Sequence, residues 1–259
     1  MEKLSDVIKY LELGTKLHIG VLFFGNYGNE LCELPFSHQM HSSPFCTRAK
    51  AETKHGYRRC FACRNLAIEK ALRTKLPFGG ECINGIYEYV RPVLVKGEVA
   101  AVIFIGNIQS ERGISDPTLE KNFTEEDCEK VGNIMENHIL LLLRHSPTGK
   151  KPTSPLVENI KNYILSNIEF DINISYISKI FHYNEMYLGR LFKRETGESV
   201  SDYITLRRLE IAKELLSSTN EKIINIASTV GFNSVTYFNR VFKKHTGICP
   251  SDFRRAENK

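Results

Sequence analysis

The most constraining feature of the sequence is a repeat with a period of 50 residues towards its C-terminal end. The segment 190–197 aligns with 240–247, and residues 201–203 align with 251–253. Self-similarity at a fixed period indicates that one supersecondary unit occurs twice. Each copy predicts a helix, a short break and a second helix, so this part of the chain is expected to be all-α.

Residue types typical of helix caps mark where these helices begin and end. In the first copy, the first helix runs from an Asn173 cap through Phe181, and the second helix stops at Gly197 after a break at 182–184. The corresponding residues of the second copy are Asn220 at the opening, Gly231 in the break, Asn233 or Ser234 at the cap, and Gly247 at the end.

The second helix of each copy has one apolar and one basic face. The apolar residues are Leu188, Leu191 and Phe192 in one copy and Phe238, Val241 and Phe242 in the other. The outward basic residues are Arg190, Lys193 and Arg194, and Arg240, Lys243 and Lys244. A solvated surface helix explains one such pattern, whereas two copies favour a binding surface. Between them, residues 200–216 predict one long linking helix with a stripe of Ile204, Leu209, Ala212 and Leu216.

The distribution of charge agrees with a polyanionic partner for this region. The formal net charge is +5, and Lys plus Arg number 17 against 12 Asp plus Glu in residues 150–259, but 18 against 18 in residues 1–149. The excess positive charge is therefore confined to the repeat-containing part.

Residues 156–257 resemble the DNA-binding domain of the AraC/XylS family of transcription regulators. The resemblance covers this whole domain and includes matching residues in 192–197, 208–216, 226–232 and 247–254. It implies two helix-turn-helix units joined by the linking helix, with their second helices in successive major grooves of double-stranded DNA. By matching positions, the residues facing bases are Glu185, Met186, Gly189, Arg190, Val235, Thr236, Asn239 and Arg240. Gly189 departs from the family's usual long polar residue. Lys193, Lys243 and Lys244 are expected to contact phosphates.

The preceding part of the chain predicts a mixed α and β domain. Helices are expected at 4–13 and 58–74, the latter burying Phe61, Ala62, Leu66, Ala67, Ala71 and Leu72. A strand is expected at 17–24, and a hairpin at 89–105 turns at residues 96–98. A helix over 129–144, with a stripe of Val131, Ile134, Met135, His138, Leu141 and Leu142, is either a core helix or a dimerising one. Residues 146–155 contain three prolines and predict a linker.

Seven cysteines without an apparent export signal argue against a disulfide framework. Four of them, Cys46, Cys60, Cys63 and Cys82, lie within 37 residues. Three interpretations stay open for these four: buried small side chains, a structural zinc or other thiolate-bound metal, or a redox sensor. His38 and His41 are candidate substitute ligands, and Cys32, Cys128 and Cys249 are expected to be small buried or incidental residues.

The segments 41–46, 56–64, 77–85 and 92–108 resemble the PocR-type sensory domain, a PAS-like α+β module, over residues 5–145. The resemblance implies a pocket for a small hydrocarbon derivative such as a short diol. The candidate ligand-binding residues are Phe45, Cys46, Cys82, Tyr87, Glu88 and Asn107. The fold class expected for the whole chain is thus a PAS-like α+β sensory domain, the linker 146–155, and an all-α DNA-binding domain at 156–257.

The sequence therefore predicts a one-component, ligand-responsive transcription regulator. An enzyme with a cluster cysteine as nucleophile and His38 or His41 as base is disfavoured, because no nucleophile elbow, phosphate loop or metalloprotease spacing is present. A regulator that senses metal or oxidant is a second hypothesis, and a protein-binding adaptor is a third. No apolar run suits a membrane span, so a cytoplasmic location is expected. Expected partners are DNA, a small effector, a second copy of the chain, and RNA polymerase if the protein is an activator.

Overall fold

The computed structural model describes residues 2–24, 34, 36–39, 43–53, 56–111, 113–145 and 154–257. It divides the chain into two compact units. The N-terminal unit comprises Met1–Cys46 and Ala62–Pro152, and the C-terminal unit comprises Thr47–Phe61 and Thr153–Lys259. Residues 47–61 thus group with the C-terminal unit, although the sequence places them in the sensory domain. Most of the predicted linker, residues 146–153, lies outside the described residues, as do Cys32 and His41.

Within the described residues, the first part of the chain contains both helices and strands, and the rest contains only helices. The mixed part consists of α1 (Leu4–Glu12), β1 (His18–Phe23), α2 (Phe36–Gln39), α3 (Pro44–Glu52), α4 (Gly56–Thr74), β2 (Phe78–Glu81), β3 (Ile86–Val95), β4 (Glu98–Gln109) and α5 (Glu125–His145). The helical part consists of α6 (Pro155–Ser166), α7 (Ile174–Phe181), α8 (Glu185–Thr196), α9 (Val200–Ser218), α10 (Ile223–Thr229), α11 (Val235–Thr246) and α12 (Pro250–Glu257).

The four strands form one antiparallel sheet in the order β1-β4-β3-β2. The predicted hairpin is confirmed: β3 and β4 pair from Val95 opposite Glu98, and the two turn residues Lys96 and Gly97 both have positive φ, 52° and 81°. Positive φ at both central residues is the type I′ geometry, whose twist matches that of the flanking strands. The turn chemistry therefore fixes the register of the central pair of strands.

Helices supply apolar side chains to both faces of this sheet. One core cluster joins α1 and α5 to the sheet through residues such as Ile8, Ile103 and Met135, which are buried. The other joins α4 to the opposite face through Ile68 and Phe104. The alternation of side chains along β1 and β4 produces this division, because successive strand residues point to opposite faces.

Two of the predicted helical stripes are wrong in part. In α4, Phe61 and Ala71 are buried as predicted, whereas Ala62, Leu66 and Leu72 are exposed and Ile68 is buried in addition. The buried stripe is therefore rotated towards Ile68 and away from Leu66. In α5, Met135 and Leu142 are buried as predicted, whereas Ile134 and Leu141 are exposed, and Cys128 and Ile139 complete the buried stripe.

The C-terminal unit repeats its contacts as the sequence repeats its residues. Phe192 of α8 makes an edge contact with Tyr203 of α9 at 5.4 Å between ring centroids. Fifty residues on, Phe242 of α11 makes the same kind of contact with Phe253 of α12 at 5.5 Å. All six predicted inward residues of α8 and α11 are buried. The repeat is thus one packing unit used twice.

Most of the predicted caps are confirmed. Asn173 caps α7 and Ser234 caps α11 with side-chain oxygens that accept backbone N–H bonds, and Gly197 and Gly247 end α8 and α11 with φ of 83° and 82°. The prediction that Asn220 opens the second copy is wrong. The linking helix α9 continues to Ser218, and Lys222 precedes α10 without a side-chain cap bond.

Candidate nucleic-acid interface and sensory region

The first turn of α8 is fixed by its N-cap. The Asn184 side chain accepts hydrogen bonds from the backbone N–H groups of Met186 (2.9 Å) and Tyr187 (3.2 Å). These bonds satisfy two of the four N–H groups that a helix leaves without an intrahelical partner. Glu185 and Met186, both predicted to face bases, are exposed on this turn. A rigid, exposed first turn is what base reading from a recognition helix requires.

The start of α11 has the corresponding arrangement. The Ser234 hydroxyl accepts a hydrogen bond from the N–H of Tyr237 at 3.3 Å. Thr236, Asn239 and Arg240 are exposed on the helix, and Val235 is half-buried. These side chains offer a hydroxyl, an amide and a guanidinium within two turns. An Asn amide can bind adenine and a guanidinium can bind guanine in the major groove.

Arg190 and Arg240 hold their guanidinium groups over neighbours on their own helices. An Arg190 Nη atom donates to the Met186 sulfur at 3.0 Å, and the Arg240 guanidinium lies 5.3 Å from the centre of the Tyr237 ring. In the part of the chain that the structure describes, no carboxylate lies within 4.0 Å of either group. A surface ion pair, the ordinary explanation of an exposed arginine, is therefore not what the described residues provide.

Gly189 is oriented differently from the other predicted base-facing residues. It is half-buried, and a β-carbon built on it would lie 2.9 Å from Ile174 Cδ1 of α7. A side chain at this position would therefore point towards α7. The glycine permits close packing of α7 on α8, and a base contact from this position would have to come from its backbone.

Lys193, Lys243 and Lys244 are exposed in the last turns of α8 and α11. This position suits cations, because the carbonyl ends of helices carry partial negative charge. It lies towards the opposite end of each helix from the capped first turn. The structure therefore separates candidate base-reading side chains from candidate phosphate-binding ones along each helix.

The predicted ligand-binding residues of the N-terminal region do not share one surface of the sheet. Tyr87 packs against the core cluster that includes α1 and α5 and donates to Glu125 Oε2 at 3.1 Å. Burial and Glu125 raise the pKa of the Tyr87 hydroxyl above its ordinary value. The next residue, Glu88, approaches Gly106, since a β-carbon there would lie 3.3 Å from Glu88 Oε1.

Asn107 joins β4 to two other segments. Its amide nitrogen donates to Lys16 O (2.5 Å) and Thr118 O (2.8 Å), and its backbone has a positive φ of 66°. Its Oδ1 is buried and accepts no hydrogen bond from any residue that the structure describes. Asn107 therefore has a structural role and retains one acceptor for a donor outside the described chain.

Two further candidates, Phe45 and Cys46, are buried on α3, and Cys82 follows β2 in a tight turn. Cys60 and Cys63 lie one turn apart on α4 and are half-buried. None of the six described cysteines is in a disulfide. Among the described residues, the four clustered thiols do not bring three ligand atoms within 4.8 Å of one another. The thiolate-bound metal thus stays a prediction.

The structure does assemble a different set of potential ligands, which the sequence did not reveal. Glu12, His18 and His38 place one ligand atom each within 4.8 Å of the others. The sequence suggests His38 only as a substitute ligand for the cysteines. The three residues are 6 and 20 positions apart along the chain and form no recognisable motif, so only the fold could bring them together.

No helix within the described ranges combines the length and the apolar character needed to cross a bilayer.

Two family models match the chain. Residues 6–147 match the sensory domain found in PocR, and residues 177–256 match a helix-turn-helix domain of AraC type. The first match alone covers more than half of the chain, and the second covers the two candidate recognition helices.

Similar proteins include transcription regulators of known and unknown role. The chain is 21% identical to the regulatory protein PocR of Salmonella typhimurium over 93% of this chain and 89% of that protein. It is 37% identical to the uncharacterised regulator YfiF of Bacillus subtilis, but that alignment covers 42% of this chain and 35% of YfiF. A solved structure, the C-terminal domain of the response regulator AraT from Geobacillus stearothermophilus, is 34% identical over 40% of this chain and 87% of that one, with a TM-score of 0.40.

Proposed function

The chain belongs to the AraC-type DNA-binding transcription regulators that carry a PocR sensory domain, and we propose that it is a one-component regulator controlled by a small molecule. It is a regulator and not an enzyme. In this proposal the sensory region binds the effector, and the effector's unequal affinity for two states changes how α8 and α11 engage one DNA site. The supporting observation is the pair of capped, basic helices with exposed Arg190 and Arg240.

The proposed reading of DNA divides the work between residue types. Arg190 and Arg240 each bind the O6 and N7 atoms of a guanine, which contributes about 1 to 3 kcal/mol of discrimination against another base. Asn239 is placed to bind an adenine, and Met186 offers an apolar contact for a thymine methyl group. Lys193, Lys243 and Lys244 bind phosphates and raise affinity for all sequences alike.

Replacement of Arg240 and Lys243 by alanine tests this division. Binding is measured by titration against a target duplex and its single base-pair variants at several salt concentrations. R240A should lose discrimination at one base pair, and K243A should weaken binding to all duplexes and lower the salt slope by about one. Lys213→Ala is the charge control, because Lys213 lies on α9 in an ion pair with Glu210 at 3.0 Å. A uniform loss in R240A would show that Arg240 contacts phosphate.

For the effector we propose a small hydrocarbon derivative such as a short diol. Phe45 and Cys46 supply apolar surface, the buried Asn107 Oδ1 supplies one polar group, and either Tyr87 or Glu88 supplies another. Such a mixture of apolar walls and few polar groups suits a small amphipathic ligand. Because Tyr87 and Glu88 face different sides of the sheet, we expect only one of them to contact the effector directly.

A thermal-shift screen of short diols and other polyols on the full chain tests this assignment. A ligand at 100 times its Kd stabilises the native state by about 2.7 kcal/mol and so raises the melting temperature. Glu88→Gln and Tyr87→Phe should differ in how much of the shift they retain. Glu98→Gln is the control, since Glu98 lies at the hairpin turn and is largely exposed. No shift with any polyol would refute the diol class.

We also propose that two copies associate through α5, where Ile134 and Leu141 are exposed seven residues apart on a helix that otherwise packs on the sheet. Sedimentation of the wild-type chain and of Leu141→Glu measures this association. A wild-type monomer at micromolar concentration would refute it.

If the regulator activates transcription, RNA polymerase is a further partner.

A further inference from the structure

Three elements of the N-terminal unit converge on one carboxylate. Glu12 ends α1, His18 begins β1 and His38 lies in α2. Glu12 Oε1 lies 3.7 Å from His18 Nδ1 and 3.8 Å from His38 Nδ1. The two imidazole rings are stacked, with centroids 5.6 Å apart and planes inclined by 15°. The carboxylate oxygen is thus nearly equidistant from two ring nitrogens that lie on neighbouring, almost parallel rings.

These distances suit a small cation. In a tetrahedral site with metal–ligand bonds of about 2.0 to 2.1 Å, neighbouring ligand atoms are about 3.4 Å apart. The two observed separations exceed that value by a few tenths of an ångström, which small side-chain rotations can remove. A bound cation would therefore need no backbone rearrangement to reach Glu12 and His18.

Hydrogen bonds to the backbone orient both rings. His18 Nε2 lies 3.0 Å from Ser37 O, and a carbonyl oxygen only accepts, so this nitrogen carries the proton. A neutral His18 ring then presents the lone pair of Nδ1 on the side of Glu12. A ring nitrogen that donates to a backbone carbonyl while its partner nitrogen faces the metal is the usual support of a metal-binding histidine.

His38 requires one adjustment. Its Nδ1 lies 3.0 Å from Ile19 O and donates to it when no metal is bound. To bind a cation through Nδ1, the ring turns from Ile19 O and the proton passes to Nε2, so that the total number of ring protons is unchanged. The ring is buried, with 8% of the residue exposed, which limits how far it can turn.

Glu12 carries the formal charge of the group when both imidazoles are neutral. Its Oε1 accepts the N–H of Ile19 at 2.7 Å. Burial raises the pKa of Glu12 above its ordinary value, although the Ile19 bond and His38 act in the opposite direction. A divalent cation compensates the charge of the carboxylate and accepts the nitrogen lone pairs at the same time.

We propose that Glu12, His18 and His38 form a binding site for a divalent transition-metal ion of the zinc class. Two imidazoles and one carboxylate suit zinc, cobalt, nickel or iron(II), whereas calcium and magnesium prefer oxygen ligands only. Three protein ligands leave at least one position for water or for an oxygen of a small molecule. The bound ion joins α1, β1 and α2, so it stabilises this edge of the N-terminal unit.

Cobalt(II) is the probe that separates this site from the cysteines. Any bound metal is first removed from the full chain with a chelator. The metal-free chain is then titrated with cobalt(II) in a Cys60→Ser/Cys63→Ser background, so that the predicted thiolate site cannot contribute. We expect one equivalent of cobalt with a visible ligand-field spectrum and no sulfur-to-cobalt charge-transfer band. Glu12→Gln and His38→Gln should each weaken binding at least about 10-fold. His245→Gln, an exposed histidine of α11, should leave it unchanged.

Absence of binding, binding that survives both Glu12→Gln and His38→Gln, or a persistent charge-transfer band would overturn the proposal. Because a variant of a ligand residue could misfold, a second measurement uses the chain with Glu12, His18 and His38 unchanged. Proton NMR of the cobalt-loaded chain should show two exchangeable imidazole N–H resonances shifted by the paramagnetic ion. A spectrum without any such resonance would equally overturn it. Neither readout depends on DNA binding or on the identity of the effector.

Discussion

Replacement of Gly231 by alanine tests how α10 and α11, the helices on either side of it, are held to the rest of the C-terminal unit. Gly231 follows α10 with φ of +89°, and a β-carbon there would lie 2.5 Å from Ile168 O and 2.9 Å from Arg208 Nε and Cζ. Arg208 donates from Nε to Ile168 O at 3.1 Å and from an Nη atom to Phe170 O at 2.6 Å. The methyl group would therefore displace the guanidinium from its two acceptors.

The expected cost has two parts. A positive φ costs an L-residue about 1 to 2 kcal/mol relative to glycine. Displacing Arg208 loses one or two hydrogen bonds from a charged donor, each contributing about 1.5 to 3 kcal/mol. With one of the two bonds lost, the free energy of unfolding of this unit should thus fall by about 2.5 to 5 kcal/mol in G231A. Gly247→Ala is the matched control, because its φ is +82° and a β-carbon there meets no atom within 4 Å.

Native-state hydrogen exchange of the full chain measures both variants in the same unit. Amides of α9 and α11 report the loss, and amides of β3 and β4 serve as the internal reference in the other unit. G247A should cost about 1 to 2 kcal/mol, and G231A should cost at least about 1.5 kcal/mol more. Equal losses in the two variants would show that Arg208 and Ile168 are not held as described. In an Arg208→Ala background the excess cost of G231A should shrink.

Two other predictions concern a cap and a thiol. Asn184→Ala removes the acceptor for two N–H groups of α8 and should destabilise this helix by about 1 kcal/mol. Lys222→Ala, at a cap without a side-chain bond, should change the stability of α10 little. Hydrogen exchange of the amides of α8 and α10 measures both effects. Burial raises the pKa of Cys128 to about 12, so at pH 8 its thiolate fraction is about 10⁻⁴. Iodoacetamide followed by mass spectrometry should therefore modify Cys249 well before Cys128, and comparable rates would contradict the burial of Cys128.

The helical unit is predicted well from sequence because its signals are local and occur twice. Caps, glycine stops and the 3.6-residue period act over a few residues, and the repeat makes each assignment a check on the other. Asn220 fails as a cap because the linking helix α9 continues past Leu216 and ends only at Ser218. The helix α6 is missed although Val157, Ile160 and Ile164 have helical spacing and are buried.

The sensory region is predicted less well because its site depends on contacts between distant segments. The hairpin is evident from the sequence of its turn, but no local sequence pattern in β1 or in β4 predicts the register in which these two strands pair. Strand alternation places Tyr87 and Glu88 on opposite faces of the sheet, which argues against one pocket for both. The Glu12, His18 and His38 group depends on how α1, β1 and α2 converge, which no local pattern encodes.

The central claim is that α8 and α11 read DNA together. Dimethyl sulfate protection of guanine N7, combined with hydroxyl-radical footprinting on a selected target duplex, tests it most directly. We predict that one chain protects guanines in two major-groove segments about one helical turn, roughly 34 Å, apart on one side of the duplex, with the protection in one segment lost in R190A and in the other lost in R240A. Protection confined to a single groove segment, or unaffected by both substitutions, would contradict the claim.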